Sequence, residues 1–264
     1  MSTLDSYLTV NNNLSRFQTM TADTPSVSLA TKYYQANIGN VKSADDLVNN
    51  PRLYNYVMTA FGLGDQAPYY QGLIKKVLQQ GVSSSSDLAY TLNDSRVLAL
   101  AKAFNFAANG ADTTQSSAVQ TNVVNAYVTQ NLDTTQGQQN PGVQLALYFQ
   151  QNASSITDAY SVLANKNLLT VVQTALGFSP LTSNEPIDTQ AKQIAAKVNF
   201  SDFQNPQKVQ AFVEQFCAMY DVNNFNASGT TTNPANAIIA SSSNFSGISA
   251  DLLFSLQGLQ LGGL

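Results

Sequence analysis

Histidine and tryptophan do not occur in the 264 residues, cysteine occurs once and glutamate twice. Without histidine there is no Ser–His–Asp or Cys–His nucleophile, and no His-ligated zinc, copper or non-haem iron. A single cysteine excludes intrachain disulfides and cysteine-built clusters. Charge is scarce as well: Asp, Glu, Lys and Arg make up 11% of the chain, against about 25% in ordinary soluble domains. The net charge is −4 and the isoelectric point about 4.6, so no basic footprint for nucleic acid or an anionic membrane is present. No apolar run approaches the ~18 residues that a bilayer span requires. Met1-Ser2-Thr3-Leu4-Asp5 has neither the basic start nor the apolar stretch of a cleaved secretory signal. The expectation is a protein that stays in the cytosol or leaves by a route that cleaves nothing.

What the chain does have is apolar sequence, 44% of residues, with Asn, Gln, Ser and Thr supplying most of the polarity. The apolar positions recur at helical spacing. Tyr69, Tyr70, Leu73, Ile74, Val77 and Leu78 fall on one helical face, as do Val97, Leu100, Ala101 and Phe104. Val119, Val123, Val124, Tyr127 and Val128 repeat the pattern, and so do Val209, Phe212, Val213, Phe216 and Tyr220. Period-2 alternation is scarce, so the chain reads as all-α, a multi-helix bundle. Asn50-Pro51 and Asn205-Pro206 each place a capping side chain before a proline whose missing N–H is free of cost at the first helical position. Gly62 and Gly177 stand where helices should close, because glycine adopts the left-handed conformation.

These signals repeat. Asn50, Leu53, Val57, Thr59, Ala60 and Gly62 recur about 115 residues later as Asn165, Leu168, Val172, Thr174, Ala175 and Gly177. A weaker match at a shift of about 112 pairs Asn93, Val97, Ala99 and Phe104 with Asn205, Val209, Ala211 and Phe216. Two pseudo-repeats are therefore expected, with Asn50, Asn93, Asn165 and Asn205 as helix caps. The implied organisation is an N-terminal helical segment 1–40, a first repeat 41–110, connecting helices 111–153, a second repeat 154–221, and 222–264 as linker and apolar terminal helix. Two polar stretches read as connections, Asp133 to Asn140 and Asn223 to Asn236.

The reactive residues favour structural readings. Cys217 has no histidine to raise its thiolate fraction and sits among Phe216, Met219 and Tyr220, so it reads as core. Asp45 and Asp46 follow Ser43, where negative charge suits a helix start, rather than forming a glycosidase pair with Glu185 or Glu214. Tyr33-Tyr34 and Tyr69-Tyr70 are each expected to place one ring in the core and one at its margin. Asn-x-Ser matches, such as Asn152-Ala153-Ser154, arise by chance in so Asn- and Ser-rich a chain. No enzyme-grade constellation emerges, and no cofactor or metal is expected.

The run Thr31-Lys32-Tyr33-Tyr34-Gln35-Ala36-Asn37-Ile38-Gly39-Asn40, the stretch Ala101-Lys102-Ala103-Phe104-Asn105-Phe106-Ala107 and the segment Gly142 to Phe149 resemble DUF1217. That is a bacterial family of unknown function met mainly in alphaproteobacterial flagellar gene clusters. The resemblance extends over roughly residues 1–221, although Asn, Gln, Ser and Thr here replace charged residues expected in relatives. It implies a flagellar association and brings no catalytic residues. The expected role is a non-enzymatic structural or accessory protein of the flagellum, placed there or outside the cell. It would act by helix–helix contact with other flagellar proteins or with itself. The alternative is a cytosolic adaptor or export chaperone. Leu4, Leu8 and Leu14 at one end and Leu252, Leu253, Leu256 and Leu259 at the other form apolar stripes that could pair as terminal helices or pack on the body of the same molecule. With only 16 carboxylic side chains and no histidine, the fold is also expected to tolerate acid.

Overall fold

The computed structural model describes residues 1–227, and among them every regular element is helical. In chain order these are α1 (Thr3–Asn11), α2 (Leu14–Ala22), α3 (Pro25–Asn37), α4 (Ala44–Val48), α5 (Pro51–Ala60), α6 (Ala67–Gln80), α7 (Leu88–Thr91) and α8 (Ser95–Ala103). They continue as α9 (Phe106–Asn109), α10 (Val123–Gln139), α11 (Pro141–Asn152), α12 (Ala159–Leu163), α13 (Lys166–Ala175), α14 (Ile187–Ala195) and α15 (Pro206–Ala227). Short 3-10 turns join several of them, and a π-helical turn, Ala118–Asn122, leads into α10. The protein is all-α. Met1–Tyr220 forms one compact unit and Asp221–Leu264 a second, of which residues 221–227 are described and helical.

Of the two polar stretches that read as connections, the first is helix apart from its last residue and the described part of the second is helix too. Asp133 to Gln139 continues α10 without a break. The hydroxyls of Thr134 and Thr135 donate to the carbonyls of Gln130 and Asn131 at 2.8 Å, so these residues stay within the helix ladder. Gly137 lets α10 lie close to α11, since a side chain there would run into Gln144. Packing on α11 overrides weak intrinsic propensity. Likewise α15 runs through Asn223 to Ala227, extending past the point where composition ends it.

Two apolar clusters lie within Met1–Tyr220. The first gathers α3 to α9 with the start of α10, from Tyr34 to Val123. The second gathers α11 to α15 and takes in Tyr7 and Val10 of α1. Between them α10 serves both: Val123 and Tyr127 belong to the first cluster and Leu132 to the second. A helix with two apolar sides has little amphipathic signature, which is why its continuation reads as polar linker. In the first cluster Tyr34, Tyr56 and Tyr127 stack, with ring centroids 4.4 and 3.8 Å apart. The Tyr34 hydroxyl donates to the carbonyl of Val119 at 2.7 Å. Burial pushes the Tyr56 phenol up to about 12.

The two clusters are framed by the same local devices. In the first, Ser43 Oγ accepts from Asp46 N–H, Asn50 Oδ1 from Leu53 N–H, and Gly62 at φ 68° lets Leu63 N–H reach the Met58 carbonyl. Each bond has its partner 115 residues on: Asp158 Oδ1 accepts from Ser161 N–H, Asn165 Oδ1 from Leu168 N–H, and Gly177 at φ 64° lets Phe178 N–H reach the Gln173 carbonyl. Asn50 Nδ2 donates to the Tyr33 hydroxyl at 3.2 Å and Asn165 Nδ2 to the Tyr148 hydroxyl at 2.7 Å, both across 17 residues of chain. Asn50→Ala and Asn165→Ala are each expected to cost about 1–2 kcal/mol, since both the cap and the tie to tyrosine are lost. Asn165→Ala should cost more, because its oxygen also accepts from Asn167 N–H at 3.0 Å. Urea unfolding of both variants measures this; unchanged midpoints would show that neither side chain holds its helix start.

Candidate functional site

A cleft of about 840 Å³ lies between the α7–α8 corner and the start of α13. Asp65, Gln66, Tyr90, Asn93, Asp94, Arg96 and Leu98 line it from the first half of the chain. Tyr148, Ser155, Ile156, Ser161, Asn165, Lys166 and Leu168 line it from the second. Arg96 holds Asp94 with two hydrogen bonds, Nε to Oδ1 at 3.1 Å and Nη2 to Oδ2 at 2.8 Å, while Nη1 reaches the Gly62 carbonyl at 2.9 Å. Burial works against the Asp94 charge, but the Arg96 hydrogen bonds and guanidinium prevail and hold its carboxyl below the usual range. The guanidinium is therefore spent on its own corner. The wall offers amides and hydroxyls, Ser161 and Ser155 among them, with no imidazole or thiolate to act as base. Among the described residues no group of three His, Cys, Asp or Glu side chains is placed to hold a metal. The cleft can recognise hydrogen-bonding surfaces through these amides and hydroxyls, and the Asp65 carboxylate and Lys166 also stand in its lining.

A second, open pocket of about 350 Å³ is lined by Asn37, Asn40, Val41, Asp46, Asn49, Asn50 and Leu53. Advancing these positions by 115 gives residues of the large cleft in six of seven cases: Ser155, Ile156, Ser161, Ala164, Asn165 and Leu168. The same local frame thus makes both concavities, one covered by the α7–α8 corner and one open.

The family model described as a protein of unknown function, DUF1217, matches residues 60–209. The chain belongs to the DUF1217 family. Its matched span runs from the last residue of α5 into α15 and so includes every lining residue of the large cleft. A crystal structure of a protein from Agrobacterium tumefaciens, determined in a structural-genomics programme, is similar at 35% identity with a TM-score of 0.79, over 85% of this chain and 97% of that one. No curated protein matches the sequence.

The residues singled out from sequence fall as follows. Asn50, Asn165 and Asn205 cap their helices; Asn205 Oδ1 accepts from Gln207 and Lys208 N–H at 3.0 and 3.2 Å, and Pro51 and Pro206 are the first residues of α5 and α15. Asn93 is not a cap. Asp94 caps α8 by accepting from Arg96 N–H at 2.9 Å, and Asn93 instead takes φ 50°, a left-handed turn that asparagine tolerates. Leu4, Leu8 and Leu14 are partly buried against the second cluster. Leu252, Leu253, Leu256 and Leu259 lie outside the described residues. Cys217 is buried, and Asp45 and Asp46 stand in the first turn of α4. The tie between each Asn cap and its tyrosine was not read from the sequence. Its signal was present: Tyr33-Tyr34-Gln35-x-Asn37 repeats as Tyr148-Phe149-Gln150-x-Asn152.

Proposed function

We propose that the protein is a non-enzymatic structural or accessory component of the bacterial flagellum, acting through helix–helix contacts with other flagellar proteins or with itself. The observation that carries this reading is membership of DUF1217, a family whose resemblance implies a flagellar association; the similar crystal structure comes from an alphaproteobacterium. A surface of amides and hydroxyls with few charges supports it. Fractionation tests it. An antibody to the protein should detect it in purified filaments, hooks or basal bodies, and recovery from the cytosol alone would overturn the reading.

A second reading is favoured by the large cleft. An adaptor or export chaperone in the cytosol would seat a partner helix between the α7–α8 corner and α13. Fractionation separates the two readings directly.

A further inference from the structure

We infer that α3–α8 and α11–α15 are two copies of one unit set head to tail, and that the open pocket of the first copy receives the outer corner of the second copy from another molecule of this chain. The protein would then grow into an open-ended row. This deepens the structural reading above by giving its self-association a geometry.

Three observations carry it. First, the two stretches share their element order, with the 3-10 turn Phe200–Gln204 standing where the first has α7, and they share their internal bonds. The caps at Ser43 and Asp158, the caps at Asn50 and Asn165, the closing glycines Gly62 and Gly177 and the tyrosine ties all correspond at one shift. Second, the direction of packing is fixed. The corner of the first copy, with Tyr90 and Arg96, overhangs the pocket of the second copy. Among the described residues, the equivalent pocket of the first copy is lined by its own residues alone. A two-fold relation between copies would place the second copy's corner over that pocket. A head-to-tail relation leaves one pocket and one corner unused, and such an interface propagates until it closes or runs on.

Third, the unused corner carries groups suited to the unused pocket. Leu181 stands 115 residues beyond Gln66, which lines the large cleft alongside the inner corner, and is 73% exposed. Lys208 stands where the inner corner has Arg96, and like it is paired to a carboxylate of its own corner, Asp202 at 2.6 Å. The open pocket presents the exposed carboxylate of Asp46 beside the apolar Val41 and Leu53. Leu181 of one molecule would thus meet the apolar Val41 and Leu53 of the next, while the Lys208–Asp202 pair, like Arg96–Asp94 at the inner joint, braces its own corner.

The test uses the purified full chain, so that its failure is distinct from failure of the flagellar location, which fractionation decides. Asn49→Arg blocks the pocket and Leu181→Glu spoils the corner; both positions are exposed, and circular dichroism and thermal melts matching the unchanged protein verify folding. Sedimentation velocity of the unchanged protein should show a mass that rises with concentration and does not level off at a dimer. Each variant alone should remain a monomer. An equal mixture should stop at a dimer, because the good corner of one variant meets the good pocket of the other. A monomer at every concentration, a plateau at dimer for the unchanged protein, assembly by either variant alone, or no dimer in the mixture would overturn the inference.

Discussion

Phe149→Ala is expected to lower the free energy of unfolding by about 3–5 kcal/mol. The ring is fully buried in α11, at 0% exposure. It meets Phe203 edge-on and stacks on Phe212, with both centroids at 5.2 Å. Phe203 lies in the 3-10 turn before α15 and Phe212 within α15, so one side chain ties three elements of the second cluster. Removing it loses the transfer free energy of a benzyl group and leaves a cavity that three rigid helical segments are poorly able to collapse. Domains of this size unfold at about 5–15 kcal/mol, so the loss takes a large share of the total. Phe149→Leu, which keeps most of the volume, should cost less than half as much. Urea unfolding followed by circular dichroism measures both. A loss below about 1 kcal/mol for the alanine variant would mean that the aromatic cluster is not packed in solution as described.

The contrast between α10 and the capped helices shows what the sequence could convey. A cap acts within a few residues of its own helix, so Asn50, Asn165 and Asn205 were legible from their neighbours alone. The polar half of α10 becomes helical because α11 covers it, and that contact is absent from any local window. Asn93 fails for a subtler reason. The aligned asparagine sits one residue before the working cap, and Asp94 supplies the same acceptor, so similarity of residue type pointed to the wrong neighbour. The pockets were invisible at sequence level because each is a meeting of backbone frames. The polar residues that line them, Asn40 and Ser155 for example, carry no chemistry that marks them out.

Asp133→Asn is expected to stabilise the protein at pH 8 by about 2–4 kcal/mol and to leave it unchanged at pH 4. Asp133 lies on α10 at 2% exposure, and its hydrogen bonds come from Gln151 Nε2, at 3.2 Å to Oδ1 and 3.0 Å to Oδ2. Burial raises its carboxyl to about 7, and the Gln151 bonds only partly offset that. The unfolded chain holds the same group near its ordinary 3.8. Between those two values the folded state binds the extra proton, so stability falls as pH rises from about 4 to 7 and recovers on acidification. A shift of about three units corresponds to roughly 4 kcal/mol at most. Asp94 and Asp158 act in the opposite sense, because their carboxyls are held low and their contribution is lost only once pH falls below the ordinary carboxyl range. The acid tolerance anticipated from a charge-poor composition thus gains a specific source, one buried carboxylate that prefers to be protonated. In the variant, the asparagine and Gln151 amides can pair with each other, so the site keeps its hydrogen bonding without the buried charge. Urea unfolding from pH 4 to pH 8 decides the matter. The unchanged protein should lose stability steadily across that interval while Asp133→Asn stays flat, and parallel profiles for the two would refute the assignment.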